Sequence, residues 1–275
     1  MDAVVDDASE SNVVDEVPAK MSTVLITGFG PFPGAPFNPT QALVRRLGAR
    51  RRPALADVEL ITHVFRTRYG AIDEELPRLI ARHRPDVLLM FGLAARSREL
   101  RVETRARNAV SALVPDAGGR ISRSNRIRAG QPPALAGRAP FQKLVSVARA
   151  ARVPARLSRD AGSYLCNYLY WHGCEGTAGH AQIPVVAFVH VPLVRRAARP
   201  RGRRRAGTLA DLTRAGEAIL LTLVSAARAR RVGRGAALGL RAGSRQGTPK
   251  PTSGGTEDGG FRRATLHMIA RPRDA

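Results

Sequence analysis

The chain has 275 residues, and 45 basic against 22 acidic side chains leave a formal charge of +23. Apolar residues make up 44%, enough for a real core in one or at most two domains, which excludes a wholly disordered chain. Two cysteines, Cys166 and Cys174, exclude a disulfide scaffold, and no apolar run approaches the roughly 18 residues of a membrane span.

The basic side is three lysines against 42 arginines, with abundant Ala, Gly and Pro. A GC-rich coding sequence gives that mixture whatever the protein does. A basic surface attracts nucleic acid without specificity, but aromatics are only 5% and no aromatic–basic stripe suggests base stacking, so no specific nucleic-acid partner is expected.

Residues 1–20 form an acidic leader with Asp2, Asp6, Asp7, Glu10, Asp15 and Glu16 against Lys20. It lacks apolar periodicity, reads as disordered, and does not have the basic-then-apolar order of a secretory signal. From Met21 the texture changes. Residues 23–27 are a β-branched apolar run stopping at Gly28, which predicts a buried strand. The next segment, Thr27-Gly-Phe-Gly-Pro-Phe-Pro-Gly34, matches neither a dinucleotide fingerprint nor a phosphate loop. Phe29 and Phe32 at this strand end suggest an apolar pocket, or simply a cap on the core.

Residues 39–51 read as a helix with Ala42, Leu43 and Leu47 on one face, and residues 58–65 as a strand. Residues 71–83 read as a helix through Ile72, Leu76, Leu79 and Ile80, which Pro77 should kink or restart. A third buried strand, residues 86–91, stops at Gly92. Helix is expected over 140–152, strand over 184–190, and a final helix from the spacing of Leu209, Leu212, Ile219, Leu220 and Leu223. Apolar strands alternating with helices predict a single three-layer α/β/α domain over 21–233 with a mostly parallel twisted sheet. Seven arginines between Arg195 and Arg205 read as a loop, and residues 234–275, rich in Gly, Ser and Arg, as a flexible tail.

In such sheets chemistry gathers beyond the C-terminal strand ends. Cys166 lies in Ala161-Gly-Ser-Tyr-Leu-Cys-Asn167. With Ser163 as N-cap it is the third residue of a helix, where free N–H groups and the helix dipole favour an anionic nucleophile. The alternative is a small buried apolar side chain. Cys174 has no helix start near it and reads as structural. His190 ends a buried strand and is suited to act as base toward the thiol and acid toward a leaving amine, or to bond a loop. Glu103 can orient that imidazole, or pair with Arg101, Arg105 and Arg107 at the surface. No Cys/His spacing fits a metal.

Taken together these segments resemble the pyroglutamyl-peptidase I (pyrrolidone-carboxylate peptidase) family of cysteine peptidases. The match runs through Val24-Leu-Ile-Thr-Gly-Phe-Gly-Pro-Phe32 with Asn38-Pro39, Glu103-Thr-Arg-Ala-Arg-Asn108, the Cys166 motif and Phe188-Val-His-Val-Pro192, over about residues 22–231. The resemblance implies a cytoplasmic α/β enzyme that acts on peptides with N-terminal pyroglutamate, uses no cofactor or metal, and admits a homo-oligomer. Cys166 would be nucleophile, His190 base and acid, Glu103 orienter, with Phe29, Phe32, Asn38 and Leu93 at the substrate. The sequence departs from the family where Leu93 replaces its usual Gln, Ser97 its usual Arg, and Ala117 the Asn after Asp116. Those departures leave open a related thiol amidase of different acyl specificity or an inactive relative, besides a basic binding protein.

Overall fold

A computed structural model describes residues 22–32, 35–178, 185–194 and 207–243, the last eleven as backbone. The acidic leader, the run Arg195–Arg205 and residues 244–275 lie outside the described residues.

The elements in chain order are β1 (Ser22–Phe29), α1 (Pro39–Gly48), a 3-10 turn at Pro53–Leu55, β2 (Val58–Phe65), α2 (Tyr69–His83), β3 (Val87–Leu93), β4 (Leu100–Glu103), β5 (Arg105–Arg107), β6 (Ala134–Ala136), α3 (Phe141–Ala150), β7 (Ala155–Ser158), α4 (Leu165–Ala178), β8 (Val185–Val191) and α5 (Leu209–Gly243). Six strands form one sheet in the order β2-β1-β3-β8-β4-β7, and β5 and β6 form a separate ribbon. Every pairing in the main sheet is parallel except β4 against β8. The expected three-layer, mostly parallel α/β/α architecture is what the chain adopts.

β1 and β8 are buried at every residue, because helices cover both faces of the sheet. One face packs Leu43, Val44 and Leu47 of α1, Leu144, Val145 and Ala148 of α3, and Ile219, Leu220 and Leu223 of α5. The other packs Tyr69, Ile72 and Leu76 of α2 with Leu165, Leu169, Tyr170 and Trp171 of α4. Full burial of such side chains contributes about 1.5–3 kcal/mol each. The second face carries the candidate site.

Several boundaries differ from expectation for identifiable reasons. α1 stops at Gly48 rather than residue 51; a side chain on Gly48 would collide with Thr62 on β2, so the chain must turn away there. Pro77 does not restart α2, which runs unbroken from Tyr69 to His83 with Pro77 on its exposed face. The segment expected as tail from residue 234 begins as helix: α5 continues to Gly243, where Ala236, Ala237, Leu238 and Leu240 are strong helix formers. β4 to β7 went unread because three- and four-residue strands carry too little periodicity.

Candidate active site

Asn38 caps α1: its Oδ1 accepts the Thr40 N–H at 3.1 Å and its amide donates to the Gly30 carbonyl at 3.1 Å. Both ends of the side chain thereby hold the loop after β1 in shape. Pro39 follows at N1, where its missing N–H costs nothing. Phe29, only 2% exposed, packs into the core against Phe65 with ring centroids 6.2 Å apart. Phe32 is half-buried on the loop and forms a bridge with Ala35. Leu93 ends β3 opposite Val191 and is half-buried.

α4 begins at Leu165, one residue later than a Ser163 cap would place it. The Tyr168 N–H reaches the Tyr164 carbonyl at 3.0 Å, so Tyr164 takes the cap position and Cys166 is the second helical residue. Its N–H is one of the free donors of the first turn. Asn167, fully buried, fixes this turn. Its Oδ1 accepts the Arg107 N–H, and its amide donates to the Arg107 and Ala109 carbonyls, all at 2.8 Å.

His190 and Glu103 come from neighbouring antiparallel strands. In the β4–β8 register Arg101 faces His190 and Glu103 faces Phe188, so all four side chains stand on one face of the sheet. The His190 Nδ1–H donates to Glu103 Oε1 at 2.8 Å. With that nitrogen committed, Nε2 is the ring nitrogen left to face the Cys166 sulfur, which helps the ring hold its proton. Glu103 has no exposed surface, so it is not the surface ion pair weighed above, although Arg101 does reach it with Nη2 at 3.0 Å. The Tyr170 hydroxyl donates to the Glu103 carbonyl at 2.8 Å and locks that end of β4 to α4.

Burial works against a charged His190, but the Cys166 sulfur and the Glu103 carboxylate outweigh it and push the imidazole up to about 9. An imidazolium set beside the Cys166 sulfur is therefore the form of His190 that the surroundings favour at neutral pH.

Gly92 completes the arrangement. It lies beside His190 in the β3–β8 register, on the same face. A Cβ there would stand 2.7 Å from Cys166 Sγ and 2.7 Å from Phe188 Cζ. The missing side chain leaves the space that the sulfur enters. The structure thus brings together Cys166, His190 and Glu103, with Gly92 between the first two. Phe29 shares the apolar cluster that Cys166 borders, while Phe32 and Asn38 shape the loop beyond β1. Arg101, Asn167 and Tyr170 were not singled out as site residues from sequence, and only adjacency to Cys166 marked Asn167. Gly92 did stand out there, as the end of a strand where chemistry gathers.

Cys174 contrasts with Cys166. It is 4% exposed, and burial pushes its thiol up to about 12. At pH 7, iodoacetamide is expected to alkylate Cys166 at least about 100-fold faster than Cys174, as read by peptide mass spectrometry. Equal rates would remove Cys166 from consideration as an activated nucleophile.

Asp116 serves the local fold. It accepts the N–H groups of Tyr69, Gly118 and Arg120 at 2.8–2.9 Å, capping α2 from a distant loop. Burial would raise its carboxyl, but those three donors hold it below the usual carboxylate range. Among the described residues no group of three or more His, Cys, Asp or Glu side chains is arranged to hold a metal ion, and no helix is long and apolar enough to cross a membrane.

A thiol at a helix start, an imidazole and a buried carboxylate in series on an α/β sheet define the class of site, that of a cysteine hydrolase. The comparisons agree. The family model for pyroglutamyl peptidase matches residues 22–203, and the chain belongs to that family of cysteine peptidases. It is 34% identical to pyrrolidone-carboxylate peptidase 1 of Ralstonia nicotianae, over 62% of this chain and 79% of that one. It is 30% identical to the pyrrolidone-carboxylate peptidase of Pyrococcus furiosus, over 62% and 81% respectively. Among solved structures it resembles pyroglutamyl peptidase I of Bacillus amyloliquefaciens, with a TM-score of 0.64 and 26% identity, over 74% of this chain and 97% of that one. It also resembles the pyrrolidone carboxyl peptidase of Fervidobacterium islandicum, with a TM-score of 0.66 and 28% identity, over 74% and 98%.

Proposed function

We propose that the protein is a cytoplasmic omega peptidase that hydrolyses the amide bond after an N-terminal pyroglutamyl residue. The observation that carries this reading is the alignment of Glu103, His190 and Cys166 at the first turn of α4, in a chain of the pyroglutamyl peptidase family. The Cys166 thiolate attacks the pyroglutamyl carbonyl that is joined to the next residue. The oxyanion that forms is met by the free N–H of Cys166 and its neighbours in the first turn. The His190 imidazolium then gives its proton to the departing amine, the C–N bond breaks, and a thioester remains. Neutral His190 takes a proton from water, the hydroxide equivalent adds to the thioester, and pyroglutamate leaves as the thiolate reforms. Glu103 keeps the imidazole in the Nδ1–H tautomer and supports its positive form.

Phe29 and Phe32 would flank the flat lactam ring, with Asn38 holding their loop in shape. Leu93 cannot hydrogen-bond the lactam edge, which leaves that edge to backbone groups at the end of β3. The substitution at Leu93 favours one further reading, a thiol amidase of another small acyl group.

The test is release of a fluorescent amine from pyroglutamyl-, prolyl- and acetyl-alanyl amides. The pyroglutamyl amide is expected to exceed the others in kcat/KM by at least about 100-fold, since a site built for a lactam rejects analogues that leave its polar groups unpaired. Preference for another acyl group would replace the pyroglutamyl assignment with the amidase. Absence of turnover on all three by folded protein would sink both.

A further inference from the structure

We infer that Arg101 is a positioning residue for the His190–Glu103 pair: its guanidinium shares one carboxylate oxygen with the imidazole, fixes that carboxylate in place and restrains the basicity of His190. The inference rests on the roles given above to His190 and Glu103.

The sharing is visible in the distances. Glu103 Oε1 accepts the His190 Nδ1–H at 2.8 Å, and it also accepts Arg101 Nε at 3.2 Å and Nη2 at 3.0 Å. The other oxygen, Oε2, is buried and has no partner among the described residues. Two cations therefore draw on one oxygen of one carboxylate. Arg101 is directly opposite His190 in the β4–β8 register, so its charge stands alongside the imidazole. The guanidinium is held from behind: Nη2 reaches Oγ of Ser158, the last residue of β4's neighbour β7, at 3.3 Å, and the Asp160 carbonyl just past that strand.

The charges facing His190 can be named element by element. α4 presents Cys166, which favours the imidazolium. β4 presents Glu103, which favours it, and Arg101, which opposes it. β3 presents Gly92, with no side chain, and β8 itself presents the Phe188 ring at 5.0 Å. Beyond Arg101 the Asp160 carboxylate is engaged by Arg107 at 3.0 Å. Arg101 is thus the one cation among these groups set against His190. An arginine stays protonated throughout the working pH range, so its influence is constant. Were it absent, the Glu103 charge would act on His190 alone, and the imidazole would hold its proton to higher pH.

The experiment is the pH profile of kcat/KM for wild type, Arg101→Gln and Arg101→Lys, with the His190 Cε1 proton titrated by NMR in the same proteins. Wild type is expected to lose activity on the alkaline side near pH 9, as His190 gives up the proton destined for the leaving amine. In Arg101→Gln that limb and the NMR titration should move upward by about half to one pH unit, and in Arg101→Lys by less than half of that. Arg101→Thr, a residue suited to a strand, gives a second neutral replacement should the glutamine variant not fold. A guanidinium that merely ties β4 to β7 would lower activity at every pH and leave both midpoints in place; that result, or a downward move, overturns the inference. The NMR arm needs no turnover, so failure of the pyroglutamyl reaction would leave this question decidable.

Discussion

Replacement of Cys166 by Ala is expected to lower kcat/KM toward a pyroglutamyl amide by at least about 1,000-fold while leaving the protein folded. Removal of a nucleophile leaves only the binding groups and oxyanion donors to act on water, and in comparable triads that remainder is small. The fold should tolerate the change because Cys166 is half-buried at the margin of its cluster rather than in the core. Deleting one partly buried sulfur costs about 1 kcal/mol, a few degrees in Tm for a domain of this size. Cys166→Ser should be almost as inactive, since a hydroxyl beside the same imidazole is a far weaker nucleophile than a thiolate. The measurement is steady-state release of the amine beside a thermal melt. A folded Cys166→Ala protein that retains even a tenth of wild-type turnover would exclude Cys166 as the group that forms the acyl-enzyme.

The second large effect is expected at Gly92, which takes no part in bond making. Gly92→Ala places a methyl group 2.7 Å from Cys166 Sγ and 2.7 and 2.9 Å from the Phe188 ring. Neither neighbour can yield freely. Phe188 is fully buried and packed on Tyr170 with centroids 5.4 Å apart, so the sulfur and the first turn of α4 must shift. Overpacking of this kind costs about 1–3 kcal/mol of stability. A displacement of even 1 Å in a reacting atom costs about 100-fold in rate. We expect kcat/KM to fall about 100-fold, with a matching fall in the iodoacetamide rate at Cys166, and Tm to drop by several degrees. Wild-type kinetics in Gly92→Ala would mean that the sulfur does not occupy the space described.

Much of this was legible in the sequence, and what was not has physical causes. The apolar runs at β1, β3 and β8 announced a sheet covered on both faces. The thiol, the imidazole and the carboxylate could each be nominated from their place after a strand or at a helix start. Their meeting could not, because Glu103 and His190 are 87 positions apart and meet only through the antiparallel insertion of β4 beside β8. A four-residue strand with an arginine at its second position carries no period to detect. Arg101 was read as a competitor that would draw Glu103 to the surface. It does bind Glu103, but in a buried site where it acts together with the imidazole. Asn38 was set at the substrate by the family resemblance, and within the chain its hydrogen bonds go to Gly30 and Thr40. The first turn of α4 began one residue later than Ser163 suggested, since a tyrosine at the cap position gives no chemical signal.

The strand order has a consequence for how the molecule is made. β8 is the last strand among the described residues, yet it is placed in the middle of the sheet, between β3 and β4. Until residues 185–191 have left the ribosome, β2-β1-β3 and β4-β7 are two sheet fragments with no strand to join them, and β3 and β4 each present an open edge. Such edges pair readily with other chains, and contacts across so long a separation form slowly. The same strand carries His190. Closure of the sheet and assembly of the Glu103–His190 pair are thus one event, and a nascent chain gains its chemistry only in the step that also removes its most aggregation-prone surfaces.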